Sequence, residues 1–362
     1  MLEKNNFDKN KQRVISAILH KPVDRIPIMY RGLDAVHQKL LDHFGIGGNI
    51  QDNWEELMGL IGFDLFSTGN GIGKFTKIKP RYIGSRKRFD WDSNLFYAFG
   101  IESSYDNGIK FLENKEFSAF ETISDMQKYD FPTPDDFSIE NIQISERLKK
   151  RHFYGIGLLG SIFMISMYLR GADRLMVELL TEKKKAKYYI DKIGDAVYSI
   201  AESFLKELGE DIEFYALWDD MAMQENLMIP YESFKNFYYP WYKKIFELVK
   251  SHSLISYFHI CGNANLIIPD LIDIGIDILD PIQTSAKDME LVRLKKNYGK
   301  DICFHGGIDV QKLLPMGKPE DIIEYVKKIK DLFSGEGGLL FGPSHDITPD
   351  TPVENILAVY KG

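Results

Sequence analysis

Short apolar runs bounded by turn residues recur along the chain and predict β-strands. In the first half these runs are RIPIMY, FDLFST, FYGIGLL and IEFYALW, at residues 25–30, 63–68, 153–159 and 212–218. In the second half they are LISYFHI, IDILDPI, DICFHGG and GGLLFGP, at residues 254–260, 276–282, 301–307 and 337–343. Runs of this length between turn residues are typical of buried strands, so the pattern predicts eight of them.

Helical periodicity separates the later strands, as in SFKNFYYPWYKKIFELVKSH and KPEDIIEYVKKIKDLFSG. Each such segment suits one crossover connection, and strands that alternate with helices form parallel sheets. Eight units of this kind predict an α/β fold, a closed (β/α)8 or TIM barrel, with residues 1–362 as a single domain. An open doubly wound sheet is the structural alternative.

The long stretch between the second and third predicted strands is rich in β-forming residues and in turn pairs such as Asn107-Gly108. We predict an antiparallel β insertion there, at approximately residues 75–150. Such an insertion either covers one side of the barrel or forms a lid or docking surface over its mouth.

Composition narrows the class of protein. Hydrophobic residues make up 44% of the chain and charged residues 27%, which is a globular profile. The net charge of −8, with both signs mixed along the chain, offers no basic stripe for nucleic acid or for acidic lipids. No stretch reaches the roughly 18 apolar residues of a membrane span, and the first residues lack the apolar core of a signal peptide. We therefore expect a cytoplasmic protein without nucleic-acid or membrane partners.

Polar residues follow five consecutive predicted strands, at the ends where barrel enzymes carry their functional groups. These ends hold Trp218-Asp219-Asp220, His259 with Cys261, Asp280 with Gln283, His305 with Asp309, and Ser344-His345-Asp346. We assign Trp218, Asp280, Gln283 and His305 to substrate binding. Three of them have structural alternatives, because Trp218 fits barrel packing, Asp280 fits a helix N-cap and His305 fits a hydrogen-bonded strand-end imidazole.

His259 and Cys261 lie two residues apart on an extended segment, so their side chains project from one face, as contact with a single metal ion requires. Tetrahedral zinc takes nitrogen and sulfur ligands, and a catalytic site uses three protein ligands with one position open. The pattern indicates zinc bound by His259 and Cys261, with His345 as the third ligand. The alternative is a core imidazole beside a small buried thiol, and Cys303, inside its strand, is predicted to be core.

Asp219 and Asp220 are adjacent carboxylates at the fourth strand end, where they should repel each other and separate in pKa. We predict a catalytic role for this pair, in proton transfer or in orienting the substrate. The alternative is that one of them caps the next helix and the other faces solvent.

Together these residues resemble the uroporphyrinogen decarboxylase superfamily, and within it the zinc-dependent corrinoid methyltransferases. The similarity runs nearly end to end. Besides the His-x-Cys strand end, it includes KNKQRVISAILHKPVDRIPIM, MQKYDFPTPDDF, GSIFMISMYLRGADRLMVELL, WDDMAMQENLMIPYESFKNFYYPWYKKI, FHGGIDVQKLLPMGKPEDI and GPSHDITPDTPVENILAVY.

The resemblance implies a barrel fold, zinc, and a corrinoid (cobalamin) carried by a separate partner protein. In the methyltransferase branch a His-x-Cys pair and a later Cys bind zinc. Here the pair is His259 and Cys261, and the later Cys falls at His345, so the ligand set departs from the family pattern. Because imidazole is itself a zinc ligand, the departure changes the charge of the set.

The decarboxylase branch has an Arg-rich loop after its first strand, which pairs with the carboxylates of the substrate. This chain retains Arg31 but not the full loop. A tetrapyrrole with many carboxylates would need more guanidinium groups, so the difference favours methyl transfer over decarboxylation.

The sequence therefore predicts a methyltransferase that moves a methyl group between a small methylated substrate, namely an ether, amine or thiol, and the corrinoid of a partner protein. Arg31 would contact the substrate with the four residues assigned above. Two alternatives stay open: a metal-free decarboxylase that uses Asp219 and Arg31, and a carrier that delivers a corrinoid or methylated ligand without turnover. A homodimer is also left open.

Overall fold

The computed structural model describes residues 9–68, 79–86, 94–106, 109–140, 153, 155–159, 161–208 and 212–361. Its strands are β1 (Met29–Gly32), β2 (Leu65–Thr68), β3 (Lys79–Tyr82), β4 (Glu102–Asp106), β5 (Ile109–Glu113), β6 (Phe137–Glu140), β7 (Gly155–Leu159), β8 (Phe214–Trp218), β9 (Ile255–His259), β10 (Ile278–Ile282), β11 (Cys303–Ile308) and β12 (Leu339–Pro343).

Helices occupy the segments between these strands. They are α1 (Lys9–Ile18), α2 (Asp34–Phe44), α3 (Ile50–Ile61), α4 (Asn94–Ala98), α5 (Lys115–Ser118), α6 (Ile123–Met126), α7 (Ile162–Arg170), α8 (Ala172–Thr181), α9 (Lys183–Leu208), α10 (Tyr231–Ser233), α11 (Tyr239–Ser251), α12 (Ile268–Asp273), α13 (Leu291–Tyr298), α14 (Leu313–Met316), α15 (Pro319–Leu332) and α16 (Val353–Lys361). A 3-10 turn spans Pro134–Asp136 and a π turn spans Phe234–Tyr238.

The centre of the fold is a six-stranded parallel sheet in the order β12-β11-β10-β9-β8-β7. A second parallel pair, β1 with β2, adjoins β12 through a bridge between Ile28 and Phe341. The eight predicted strands and their parallel arrangement are confirmed. Among the residues described above, no backbone pairing joins β2 to β7, so closure into a barrel stays a prediction.

The first strand begins later than predicted. Pro27 has no N–H to donate, and strand pairing with β2 starts at Met29 and runs to Gly32. Arg31 therefore lies within β1 and is buried, which corrects its placement in a loop after that strand.

Two antiparallel ladders lie between β2 and β7 along the chain, where antiparallel structure was expected. One pairs β3 with β6, and the other pairs β4 with β5. The turn pair Asn107-Gly108 lies outside the described residues, as do residues 75–78, 87–93 and 141–150 of the expected insertion. A lid or docking role for this region stays a prediction.

Side chains that alternate along the parallel strands separate into two apolar clusters. One cluster unites residues of neighbouring strands with the buried face of α1, and includes Phe214, Ala216, Tyr257, Ile278, Cys303 and Leu340. Residues between them in sequence, such as Phe258 and Phe304, pack instead with the helices. Strands covered on both faces in this way are typical of α/β proteins. Cys303 is fully buried, as predicted for a core residue.

Across the described part of the chain, the structure contains no helix with the length and apolarity needed to cross a membrane.

Candidate metal centre

His259 is the last residue of β9, and Cys261 follows two positions later. The Sγ atom of Cys261 lies 3.4 Å from Nε2 of His259. His259 is 3% exposed, whereas Cys261 is partly exposed. The structure thus brings the predicted pair together at the end of the strand, with the thiol on the more open side.

Asp220 completes a group of three possible ligands. Its Oδ1 lies 3.8 Å from Nε2 of His259 and accepts a hydrogen bond from the backbone N–H of Cys261 at 2.8 Å. One ligand atom from each of Asp220, His259 and Cys261 lies within 4.8 Å of the other two. This grouping was missed from the sequence, where Asp220 was considered for proton transfer or substrate orientation.

His345 does not join this group among the described residues. Its side chain is 52% exposed, and its Nδ1 lies 3.8 Å from Oδ2 of Asp346. The third group that the structure places beside the His-x-Cys pair is therefore the Asp220 carboxylate, and not the His345 imidazole expected from the strand ends.

The orientation of His259 is set by a buried carboxylate. Its Nδ1 lies 2.5 Å from Oδ2 of Asp280, which is 1% exposed. A proton held on Nδ1 by this contact fixes the ring so that Nε2 faces Cys261 and Asp220, an orientation common in metal-binding histidines. Burial opposes protonation of His259, but the Cys261 and Asp280 charges outweigh it and raise the pKa of His259 to about 10. The metal-free pocket therefore stabilises positive charge on the imidazole itself, and a bound cation would take the place of the proton on Nε2.

Arg31 and His305 lie behind His259 and contact the same carboxylate. Arg31 donates from Nε to Asp346 at 3.1 Å, and its Nη1 is 3.7 Å from Asp280. Nδ1 of His305 lies 3.2 Å from Oδ1 of Asp280 and 2.7 Å from the Tyr257 hydroxyl. Burial lowers the pKa of His305 to about 4, so this imidazole is neutral at pH 7.

These contacts change the expected roles of three residues. Arg31, Asp280 and His305 were predicted to bind substrate, but each is at most 5% exposed and contacts other buried side chains. They form a buried layer on the Nδ1 side of His259, in which Asp280 contacts His259, Arg31 and His305. The contribution of Tyr257 to this layer was missed, because it has no distinctive sequence pattern, and Asp346 was noted at its strand end without a role.

Asp219 has a different environment from its neighbour Asp220. Its carboxylate accepts hydrogen bonds from the backbone N–H groups of Phe163 and Met164, each at 2.8 Å, and from the Tyr242 hydroxyl. Burial raises the pKa of Asp219 to about 7, against the opposing effect of these hydrogen bonds. Asp219 is fully buried and caps the first turn of α7, so the structure favours a structural role over the catalytic one predicted.

Trp218 and Gln283 lie at the ends of β8 and β10, the strands on either side of β9. The Trp218 ring is half-buried, with its centroid 6.2 Å from that of His259. Gln283 is half-buried too, and its Oε1 accepts from the N–H of Gly262 at 2.9 Å. Gly262 has a φ of +93°, and a Cβ there would lie 2.6 Å from the carbonyl oxygen of Met223. Gln283 and Gly262 thus hold the loop after Cys261 in a conformation that requires glycine.

The donor set fits zinc. Bond lengths of about 2.05 Å to nitrogen, 2.1 Å to oxygen and 2.3 Å to sulfur, at tetrahedral angles, separate nitrogen and sulfur ligands by about 3.6 Å and nitrogen and oxygen ligands by about 3.4 Å. The observed separations are 3.4 Å and 3.8 Å, so small side-chain movements would bring these atoms to one ion. An imidazole with a buried carboxylate partner beside a partly exposed thiol is a donor set of the kind that zinc selects.

The chain resembles known proteins in sequence. The family model described as Uroporphyrinogen decarboxylase (URO-D) matches residues 96–361. The chain is 26% identical over 206 residues to the methylated-thiol–coenzyme M methyltransferase of Methanosarcina mazei, covering 57% of this chain and 52% of that protein. It is 25% identical over 221 residues to the methylcobamide:CoM methyltransferase MtbA of Methanosarcina acetivorans, covering 60% of each. The matched part therefore spans little more than half the length of these methyltransferases.

Decarboxylases also match. The uroporphyrinogen decarboxylase of Vesicomyosocius okutanii is 22% identical over 282 residues, covering 74% of this chain and 78% of that one. A solved structure described as a methyltransferase from Methanosarcina mazei superposes with a TM-score of 0.59 at 18% identity and covers 97% of both chains. At that identity the likeness shows a shared fold.

Proposed function

Because the chain belongs to the uroporphyrinogen decarboxylase family and has both methyltransferases and decarboxylases among its relatives, we propose that it is a methyltransferase. The observation that carries the proposal is the 3.4 Å contact between Nε2 of His259 and Sγ of Cys261, with Nδ1 of His259 held by Asp280. Metal-free decarboxylation has no need of a thiol beside an oriented imidazole.

In this proposal His259 and Cys261 hold Zn2+ at the strand ends, and a separate protein supplies the corrinoid. When bound there, zinc would supply Lewis-acid chemistry, either by lowering the pKa of a substrate thiol or by stabilising the charge left on oxygen or sulfur after loss of a methyl group. Asp280 holds the proton on Nδ1, so that Nε2 is the nitrogen that would bind the metal, and Gln283 accepts a hydrogen bond from the loop after Cys261. Trp218 offers an aromatic wall for a small methylated ether, amine or thiol.

The decarboxylase alternative loses the residues on which it depended. Arg31 would have to pair with substrate carboxylates, but it is buried and already contacts Asp346 and Asp280. Asp219 would have to face the substrate, but its carboxylate caps α7. Neither side chain is available for a pyrrole substrate in this arrangement.

We also propose that the eight parallel strands close into a (β/α)8 barrel over a single domain. The order β2-β1-β12-β11-β10-β9-β8-β7 supports closure, because it is the circular succession of a TIM barrel opened between β2 and β7.

The direct test compares zinc content and methyl transfer in the wild type with two cysteine variants. Cys261→Ala should lose near-stoichiometric zinc, while Cys303→Ala, the matched control in the core, should keep it. Zinc is measured by elemental analysis of protein purified without an affinity metal column, and folding by circular dichroism. Wild-type protein that stays zinc-free after reconstitution would remove the basis for the zinc site.

Activity is measured as transfer between methylcobalamin and small thiols, and as demethylation of ethers, amines and thioethers with added corrinoid protein. Repeated turnover supports an enzyme, whereas binding without any single-turnover transfer supports the carrier alternative. Release of CO2 from uroporphyrinogen, with no methyl transfer, would move the assignment to the decarboxylase.

A further inference from the structure

The proposed zinc site needs a third protein ligand, because catalytic zinc sites keep three protein ligands and one open position. His345 stands where the family pattern has a Cys, but it lies outside the ligand group. We propose that Asp220 is the third ligand, so that this chain binds zinc through one nitrogen, one sulfur and one oxygen. The inference rests on the proposed zinc site and specifies its ligand set.

The first argument is distance. Oδ1 of Asp220 lies 3.8 Å from Nε2 of His259, within about 0.4 Å of the separation expected for two ligands of one zinc ion. The Sγ of Cys261 is 3.4 Å from the same Nε2. All three donor atoms therefore lie within 4.8 Å of one another at the strand ends, close enough for one ion to contact them after small movements.

The second argument is how Asp220 is held. Its neighbour Asp219 is fixed by α7, which anchors the chain just before Asp220. The Asp220 carboxylate then accepts the N–H of Cys261 at 2.8 Å, so one proposed ligand is tied to the backbone of another. Carboxylate ligands are typically hydrogen-bonded in this way, which reduces the entropy lost when the metal binds.

The third argument is charge. A Cys261 thiolate and an Asp220 carboxylate together balance the two positive charges of zinc, whereas Cys261 with two neutral imidazoles leaves one positive charge uncompensated. Behind the site, Arg31 is already offset by Asp280 and Asp346. His345, at 52% exposure, lies next to Asp346 rather than the thiol. The carboxylate therefore gives the better-neutralised site.

The test uses three variants of the full-length chain. Asp220→Asn keeps an oxygen that accepts the N–H of Cys261 but loses the ligand charge. His345→Ala removes the alternative ligand, and Asp309→Asn is the matched control, a carboxylate at the end of β11 that accepts the N–H of Gln311. Zinc affinity is measured by competition with a chromophoric chelator. Because loss of a partner behind a ligand already costs 10–100-fold in metal affinity, Asp220→Asn should cost at least about 100-fold. The other two variants should stay within about 3-fold of the wild type.

Two spectroscopic measurements give readouts other than activity. X-ray absorption at the zinc edge of the wild type should fit one sulfur with nitrogen or oxygen ligands. In cobalt-substituted protein, Asp220→Asn should shift the ligand-field bands and keep the thiolate charge-transfer band, and Cys261→Ser should abolish that band.

The outcomes separate this inference from the proposed function. Wild-type zinc binding together with unchanged affinity in a folded Asp220→Asn, or a 100-fold loss in His345→Ala, would overturn Asp220 as the ligand and leave the zinc site standing. A wild type that binds no zinc would overturn both. In protein free of added thiols, a zinc edge that requires two sulfurs per ion would place a sulfur other than that of Cys261 in the ligand set, and would also refute the inference.

Discussion

Asp280 should influence zinc binding, because it is the residue of the buried layer that contacts His259. It contacts Nδ1 of His259, lies 3.7 Å from Arg31, and is 3.2 Å from His305. Asp280→Asn keeps the size of the side chain but removes the charge that holds the proton on Nδ1. The matched control is Asp346→Asn, because Asp346 is also buried and also pairs with Arg31, but the structure shows no contact between it and His259.

The expected effects on stability and on zinc binding differ between the two variants. Each removes one of two carboxylates paired with a buried arginine, so each should lower the free energy of unfolding of the metal-free protein. Asp346→Asn should cost about 2 kcal/mol, and Asp280→Asn should cost more, toward the roughly 3–5 kcal/mol of a fully broken buried pair, because Asp280 also contacts the His259 imidazolium. Only Asp280→Asn should weaken zinc binding, by 10–100-fold, which corresponds to about 1.4–2.7 kcal/mol.

The assay combines urea unfolding of the metal-free proteins with chelator competition for zinc. Equal zinc affinity in the wild type and a folded Asp280→Asn would refute the orienting role of the carboxylate. An equal loss of zinc affinity in both variants would mean that Arg31, or His345 beside Asp346, transmits the effect, and would contradict the pathway through Nδ1 of His259.

Three further predictions concern residues around the site and in the helical layer. Asp219→Ala should lower the free energy of unfolding by roughly 3 kcal/mol or more, because two backbone N–H groups and the Tyr242 hydroxyl lose a buried acceptor, and urea unfolding measures it. Burial alone would raise the pKa of Glu178, but hydrogen bonds from Arg170 and Lys185 outweigh it and hold that pKa below 4.5. The stability that this glutamate contributes should therefore be present above pH 4.5 and be lost as the pH falls below it. Glu178→Gln should be about 3 kcal/mol less stable at pH 7 and should flatten the dependence between pH 5 and pH 3. A water-soluble alkylating reagent should modify one thiol per native chain, Cys261, and zinc should protect it; rapid labelling of Cys303, which is buried, would contradict the described core.

The strands could be predicted because their signal is local. A run such as LISYFHI is apolar, β-branched or aromatic, and bounded by polar turns, and these properties are visible without knowledge of the rest of the chain. The exact start of β1 was less accessible, because it depends on where β2 pairs with it. The pairing of distant segments decides such boundaries.

Part of the site could be predicted because its signal is also local. His259 and Cys261 are neighbours on one extended segment, so their proximity follows from the geometry of a strand. The difference between Asp219 and Asp220 does not, because it depends on the first turn of α7, which begins more than fifty residues earlier in the chain. Likewise, the burial of Arg31 reflects contacts with Asp280 and Asp346, which lie on the far side of the sequence.

The site is buried on one side of His259 and open to solvent on the other. Below the ring of His259 lie Asp280, Arg31 and His305, none of them more than 5% exposed. Above it lie Asp220 and Cys261, both partly exposed, with Trp218 half-buried beside them. A cation held by Nε2 therefore has protein charge on its inner side and solvent access on its outer side. Since the inner side is buried, any reacting group has to approach from the outer side, and residues that select a substrate should be sought in the loops after β8, β9 and β10.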